Sequence, residues 1–282
     1  MLTNLKNIIK KSVIVITRAL SRTWLGKLIG ETVIEDVMKR VQSVTHNDIK
    51  MRFTVPNQLN YFRVDTFSTK EPETLDWIDS LSSDSTLWDI GANIGLYSIY
   101  AAKAKNCQVF AFEPSVFNLE LLARNIFLND LQNQITIIPF ALSDKIGSNQ
   151  MLLTSTEWGG AISTFGKKVS WDGKAIKDIF SFSTFGSTMD YAVSMLNLPQ
   201  PDYIKIDVDG IEHFILSGGK QVLDKVQSIS IEINDEFGDQ AINSEKLLKN
   251  SGLTFKEKRH SEIFDDSIYS SSFNQIWIRN DK

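Results

Sequence analysis

A single cysteine, Cys107, in a chain of 282 residues excludes an internal disulfide and a thiolate metal cluster. It stands before an apolar strand, where a small buried residue is expected rather than a reactive thiol, and a reducing compartment fits. Three scattered histidines offer no zinc spacing. No apolar run approaches the ~20 residues that span a bilayer, and the N-terminus lacks a secretory h-region and cleavage site, so export is not expected. Positive charge is not in excess either: 30 Lys and Arg against 34 Asp and Glu leave a net charge of -4, without the basic face that nucleic acid requires. A cytoplasmic protein is therefore expected. The remaining composition, 42% hydrophobic and 23% charged, suits a soluble α/β domain with a sizeable core.

Charge is nevertheless uneven. Lys6, Lys10, Lys11, Arg18, Arg22 and Lys27 all precede the first acid, Glu31, while Leu5, Ile8, Ile9, Val13, Ile16 and Leu20 recur at helical spacing. This is a basic amphipathic helix, which suits peripheral contact with the inner face of an anionic membrane. Ile14 and Val15 interrupt its polar face and favour docking on the domain or on a second subunit, as in a homodimer. The helical region is expected to end near His46, an isolated and solvated histidine, with MRFTVPN and YFRVDTF following as a hairpin or a pair of strands. Residues 1–58 thus read as a helical and hairpin extension, and residues 59–282 as the main domain.

The segment TLWDIGANIGLYSIYAAKAKNCQVFAFE, Thr86 to Glu113, carries most information. Thr86 to Ile90 reads as a buried strand, Gly91 to Gly95 as a tight turn, Leu96 to Lys105 as a helix and Gln108 to Glu113 as a second parallel strand. That is one right-handed βαβ unit. Gly91 and Gly95 let a ligand approach bare backbone. Glu113 follows the last glycine by roughly eighteen residues, so its carboxylate can accept from both hydroxyls of a ribose, with Pro114 holding it extended. A dinucleotide site would place G-x-G-x-x-G here, but the pattern is Asp89-x-Gly91-x-Asn93-x-Gly95. Asp89 would repel a pyrophosphate yet suits an amino-acid ammonium, and the helix amides suit its carboxylate. The combination describes S-adenosylmethionine rather than NAD.

Downstream, Ser115 to Asn129 reads as a helix burying Leu119, Leu122, Ala123 and Ile126, and Ile135 to Ala141 as the third strand. Residues 149–200 are too long for a structureless loop and are expected to carry strands, as a β-hairpin cap over the acceptor site. Tyr203 to Asp207 and Ser228 to Asn234 are the fourth and fifth strands. Leu253 to Lys258 and Phe273 to Arg279 make an antiparallel edge.

FAFEP, PFALSD, STMD and YIKIDVDGIEHFILSGG occur in that order, and together they resemble the FkbM family of methyltransferases. The resemblance runs from about Asn60, through Arg63 and TKEPETLDWI, to the C-terminus. It implies a Rossmann-like, seven-stranded class I methyltransferase sheet with helices on both faces. It also implies methyl transfer from S-adenosylmethionine, typically to a hydroxyl of a sugar, glycan or polyketide. Asp209, where the family more often has Glu, and Ile211, where a small residue is usual, depart from the pattern and bear on the acceptor.

Ligands of such sheets bind beyond the carboxyl ends of the strands. Asp89, Gly91, Asn93, Gly95, Glu113 and Pro114 are the donor-site candidates, with Ala141, Leu142 and Asp144 placed to border the adenine. By resemblance KEPET folds over the pocket, where Glu71 is placed either on the methionine portion or as an ordinary helix entry. The acceptor hydroxyl must lose a proton, and Asp207, Glu212 and His213 are candidates for the base or an anchor. His213 reads equally as a core residue. Lys205 shares a strand face with Asp207 and either orients it or binds the acceptor. Asp207 with Asn234 and Asp235 is similar to a Mg²⁺ set, although no metal is expected. Two other readings stay open: an NAD-dependent sugar oxidoreductase, which Asp89 disfavours, and a non-catalytic scaffold that binds S-adenosylmethionine.

Overall fold

The computed structural model describes residues 2–280, with side chains from residue 8 onward. Leu5 and Lys6 of the amphipathic pattern therefore lie outside the described side chains. Two helices, α1 (Leu2–Leu20) and α2 (Trp24–Met38), precede a hairpin of β1 (Val41–His46) and β2 (Ile49–Thr54). Its turn holds Asn47 and Asp48 at φ 45 and 65, left-handed values that Asn and Asp tolerate and that match strand twist. Three short helices follow: α3 (Gln58–Asp65), α4 (Phe67–Lys70) and α5 (Pro72–Asp79). The N-terminal helices thus end at Met38, not near His46, and YFRVDTF is helical rather than extended. The local reason is Asn57, which caps α3 by accepting from the Asn60 amide at 2.9 Å.

The core begins with β3 (Thr86–Ile90), α6 (Leu96–Lys105), β4 (Gln108–Phe112), α7 (Val116–Leu128) and β5 (Ile135–Ile138). The third strand stops at Ile138. Beyond it, β6 (Ala141–Leu142) joins β7 (Gly147–Leu153), β8 (Ser163–Phe165) and β9 (Phe180–Ser187) in a separate sheet of order β6-β9-β7-β8. Helix α8 (Met189–Ser194) leads back to β10 (Tyr203–Ile206), α9 (Glu212–Ser217), α10 (Lys220–Leu223), β11 (Ser228–Asn234), α11 (Gly238–Asn250), β12 (Leu253–Arg259) and β13 (Ser272–Arg279). The main sheet has the order β12-β13-β11-β10-β3-β4-β5, with β13 antiparallel to both neighbours.

Alternation along the strands divides the apolar side chains between two layers. Leu87, Val109, Ala111 and Tyr203 pack with Ile99, Tyr100, Trp77 and the hairpin's Met51 and Phe53. Trp88, Ile90, Phe112, Ile204 and Ile206 pack on the other face with Ile215, Val222 and Leu248. Helix α7 departs from the expected pattern: Leu121, Leu122 and Ile126 are buried beside Asn118 and Asn125, while Ala123 is exposed. The asparagines are buried because they are satisfied. Asn125 accepts from the Thr54 amide at 2.8 Å and donates to the Ile94 carbonyl at 2.9 Å, fixing β2 against the core.

Candidate functional site

Strand order reverses between β3 and β10, and the turns leaving these strands open a crevice at their carboxyl ends. Gly91 sits at φ +90, and a Cβ there would lie 1.9 Å from the Asp207 carbonyl oxygen. Only glycine permits this approach of the two turns. Gly95, at φ +85, would meet Leu122 Cδ1 at 2.6 Å, the end of a side chain that can shift. We expect Gly91→Ala to cost about 3 kcal/mol in urea unfolding and Gly95→Ala about 1 kcal/mol; equal losses would show that the backbone contact is unimportant.

Two adjoining cavities share Gly91, Asn93, Gly160, Ala161, Asp207 and Asp209. The smaller, about 60 Å³, is walled by Glu113, Pro114, Ala141 and Leu142 with Phe112, Phe140 and Phe165. The larger, about 440 Å³, takes in Arg63, Lys70, Glu71, Tyr97, Trp171, Lys205, Glu232 and Tyr269. The rings of Trp171 and Tyr269 lie 4.7 Å apart in its wall.

Glu113 is buried, and its two oxygens accept from the Ser115 amide at 2.7 Å and the Asn93 amide at 2.9 Å. Each keeps a lone pair for a further donor. Burial pushes this carboxyl up to about 7, against the pull of those two amides. Asp89 lies beneath the cavity wall, paired in register with Lys205. One of its oxygens accepts from Ser98 Oγ at 2.5 Å, whereas Oδ1 is buried without a partner, as is Asn93 Oδ1. Asn93 borders both cavities, where a ligand donor would satisfy its buried acceptor, whereas Asp89 borders neither.

On the same sheet face, Lys205 is 2% exposed and its Nζ stands 3.0 Å from Asp207 Oδ2 and 5.0 Å from the Tyr97 ring centroid. Glu71 accepts from Lys70 Nζ at 2.7 Å. Burial pushes Glu71 up, but Lys70 and Lys205 more than offset it and hold the carboxyl down at about 2.

A strap over residues 158–163 crosses the crevice, held by side chains from four parts of the fold: α3 with its cap, the turn after β3, α7 and the loop after β10. Asn57 and Asn60 donate to the Trp158 carbonyl, Arg63 to Gly159, and Asn93 and Asn118 to Gly160. Asp209, at φ 61, accepts from the Ile162 amide at 2.8 Å. This accounts for Asp209, which borders both cavities.

Five expected site residues, Asp89, Gly95, Asp144, Glu212 and His213, border neither cavity. Glu212 is fully buried and turned to the backbone: it accepts from the Val208 and Gly210 amides, each at 3.1 Å, and so shapes the loop carrying Asp207. His213 borders neither cavity and packs on Phe214 and Phe237. Asp144 is also outside them, 3.4 Å from Lys167 Nζ. Gly95 serves the packing of α7. Asp235 is held by Lys258 and Asn234 accepts from the Glu236 amide. Among the described residues no group of three or more His, Cys, Asp or Glu is placed to hold a metal ion. Tyr97, Glu232, Trp171 and Tyr269 were not anticipated. Glu232 had a signal, since it is the one acid in the otherwise uncharged strand SISIEIN.

Comparison with known proteins bears on this geometry. Residues 89–252 match the family model described as the methyltransferase FkbM domain. The hexuronic acid methyltransferase AglP of Haloferax volcanii is 28% identical over 186 residues, covering 65% of this chain and 70% of that protein. Methyltransferase sdnD of Sordaria araneosa is 26% identical over 214 residues, 64% of this chain and 78% of that one. The crystal structure of methyltransferase FkbM from Methylobacillus flagellatus superposes with a TM-score of 0.50 at 14% identity, covering 88% of this chain and 58% of that chain. That likeness speaks for the fold, a class I methyltransferase sheet.

Proposed function

The chain belongs to the FkbM family of methyltransferases, and from that premise we propose that it moves the methyl group of S-adenosylmethionine to a hydroxyl of a glycan or related metabolite. The observation that carries the donor assignment is the glycine turn at the strand-order switch, with Asn93 Oδ1 unpartnered and Glu113 keeping free lone pairs, both residues lining the smaller cavity. Glu113 suits a ribose, Asn93 suits the amino-acid end, and Ala141 and Leu142 offer an apolar wall for the adenine. When bound, the donor supplies a methyl on a positively charged sulfur, ready for in-line displacement.

The chain's own part is alignment, exclusion of water and removal of one proton. Asp207 borders both cavities, so it stands between donor and acceptor spaces. Trp171 and Tyr269 present flat apolar faces with polar edges, which suits a sugar ring. The name of the Haloferax relative, a hexuronic acid methyltransferase, supports an acceptor of the sugar class.

Calorimetric titration with S-adenosylmethionine, with NAD as control, followed by labelled-methyl transfer to glycan extracts, tests the reading. Binding of NAD alone would end it. Glu113→Gln is expected to weaken donor binding at least tenfold, about 1.4 kcal/mol. Because Glu113 titrates at about 7, donor affinity should hold above that pH and fall by up to about tenfold per unit below it. The stability effect has the opposite sign. With the folded value raised above 4.5, this group's contribution to the ligand-free fold is present below ~4.5 and lost as pH rises through about 7. A pH-independent affinity in the wild type would remove Glu113 from the ribose.

A further inference from the structure

Among the described residues the two N-terminal helices contribute no buried side chain. No residue of α2 is buried, and from residue 8 through the end of α1 every described side chain is exposed. The expected docking on the domain is therefore absent among the described residues. Ile9, Val13, Ile16 and Leu20 are each more than half exposed along one side of α1, and Trp24, at 77%, opens α2. So long an unpartnered apolar face on a soluble protein marks a contact surface.

The arm has a built corner. Ser21 Oγ and Thr23 Oγ1 donate to the Arg18 and Leu20 carbonyls, and Thr23 caps α2 by accepting from the Gly26 amide at 3.0 Å. A Cβ on Gly26 would lie 1.8 Å from the Leu20 carbonyl oxygen, so the close approach of the two helices depends on that glycine. Among the described residues no helix is long and apolar enough to cross a membrane.

Charge decides what covers this face. The first thirty residues hold six Lys and Arg and no acid. Of the three acids that follow in α2, Glu35 stands 3.6 Å from Lys39 and Asp36 3.5 Å from Arg40, just past the end of the helix, and Glu31 is in no such pair among the described residues. A second copy of the arm would bring six cations against six, with Glu31 the one acid of each α2 outside such a pair. An anionic bilayer offers both an apolar layer and compensating charge. We propose that α1 and the start of α2 lie in the surface of an anionic lipid membrane, with Trp24 at the headgroup boundary.

The test is flotation of the full chain with phosphatidylcholine vesicles, with and without phosphatidylglycerol, at low and high salt. Co-flotation with the anionic vesicles, released by salt and accompanied by a blue shift of tryptophan emission that Trp24→Phe diminishes, is the expected result. The charge reversals Lys10→Glu, Lys11→Glu and Arg18→Glu together should lower the partition at least about tenfold. They leave the body untouched, which its melting temperature checks, and the wild-type lipid and salt dependence needs no variant. Binding to neither vesicle, or to both equally, overturns the proposal. Sedimentation equilibrium showing a dimer without vesicle binding also overturns it and assigns the face to a second copy.

Discussion

Replacing Lys205 by methionine is expected to destabilise the fold by about 3–5 kcal/mol, seen as a lowered urea midpoint with an unchanged slope. The methionine stem fills most of the space but leaves the surrounding carboxylates without their shared cation. Burial pushes the Lys205 ammonium down, and the carboxylates of Asp207, Glu71 and Asp89 outweigh it, holding the group above its ordinary range. At neutral pH it is therefore an ammonium, which cannot take a proton from a hydroxyl and is placed to orient Asp207. The pH dependence checks the same cluster. Glu71 is depressed from 4.5 to about 2, so its contribution to stability is present above ~4.5 and is lost as pH falls through about 2. In Lys205→Met the urea midpoint should vary less with pH over that window, because Lys70 alone remains to hold Glu71 down. A loss below about 1 kcal/mol would mean that the carboxylates are already neutral and the ion cluster has been misread.

The central βαβ unit was legible because its signals are local. Apolar strands of five residues, two glycines and an acid at the next strand end fix both the layer order and the position of Glu113. The antiparallel edge of β12 and β13 was expected from the fold that the resemblance implies, since strand direction is not written in the periodicity. The strap over residues 158–163 was not legible, since it is held by Asn57, Asn60, Arg63, Asn93, Asn118 and Asp209, residues up to 101 positions away. No periodicity encodes such bonds. Helix α3 shows a different failure: the alternation in YFRVDTF competes with a capping asparagine, and the cap was there to be weighed. Helix α7 shows a third, in which buried asparagines stand where alanine and leucine were expected. Apolar periodicity ignores polar side chains whose partners lie on distant backbone. Similarly, Glu212 and His213 follow Asp207 closely in sequence, but the turn through Asp209 and Gly210, at φ 61 and 117, sends them away from the cavities.

Of the acids grouped by the sequence, Asp207 is the one that both borders the cavities and is held by a cation, and Asp207→Asn should reduce turnover about 10²–10⁴-fold while leaving binding of S-adenosylmethionine unchanged. The substitution keeps size, and the amide oxygen can still accept from Lys205 Nζ, which stands 3.0 Å from the carboxylate in the native side chain. What is lost is the capacity to receive a proton. Lys205 directs one carboxylate oxygen, Oδ2, and leaves Oδ1 for the acceptor, so orientation precedes chemistry. The rate of labelled-methyl incorporation into a glycan extract, set beside the donor titration, separates the possibilities. A fall in kcat at constant KM identifies the base, and a rise in the acceptor KM at constant kcat identifies an anchor. Full activity with intact donor binding would exclude both roles and point to the other carboxylates of the larger cavity, among them Glu232, whose carboxyl is pushed well above the usual carboxylate range by burial and by the neighbouring acids Asp207, Asp209, Glu212 and Glu71.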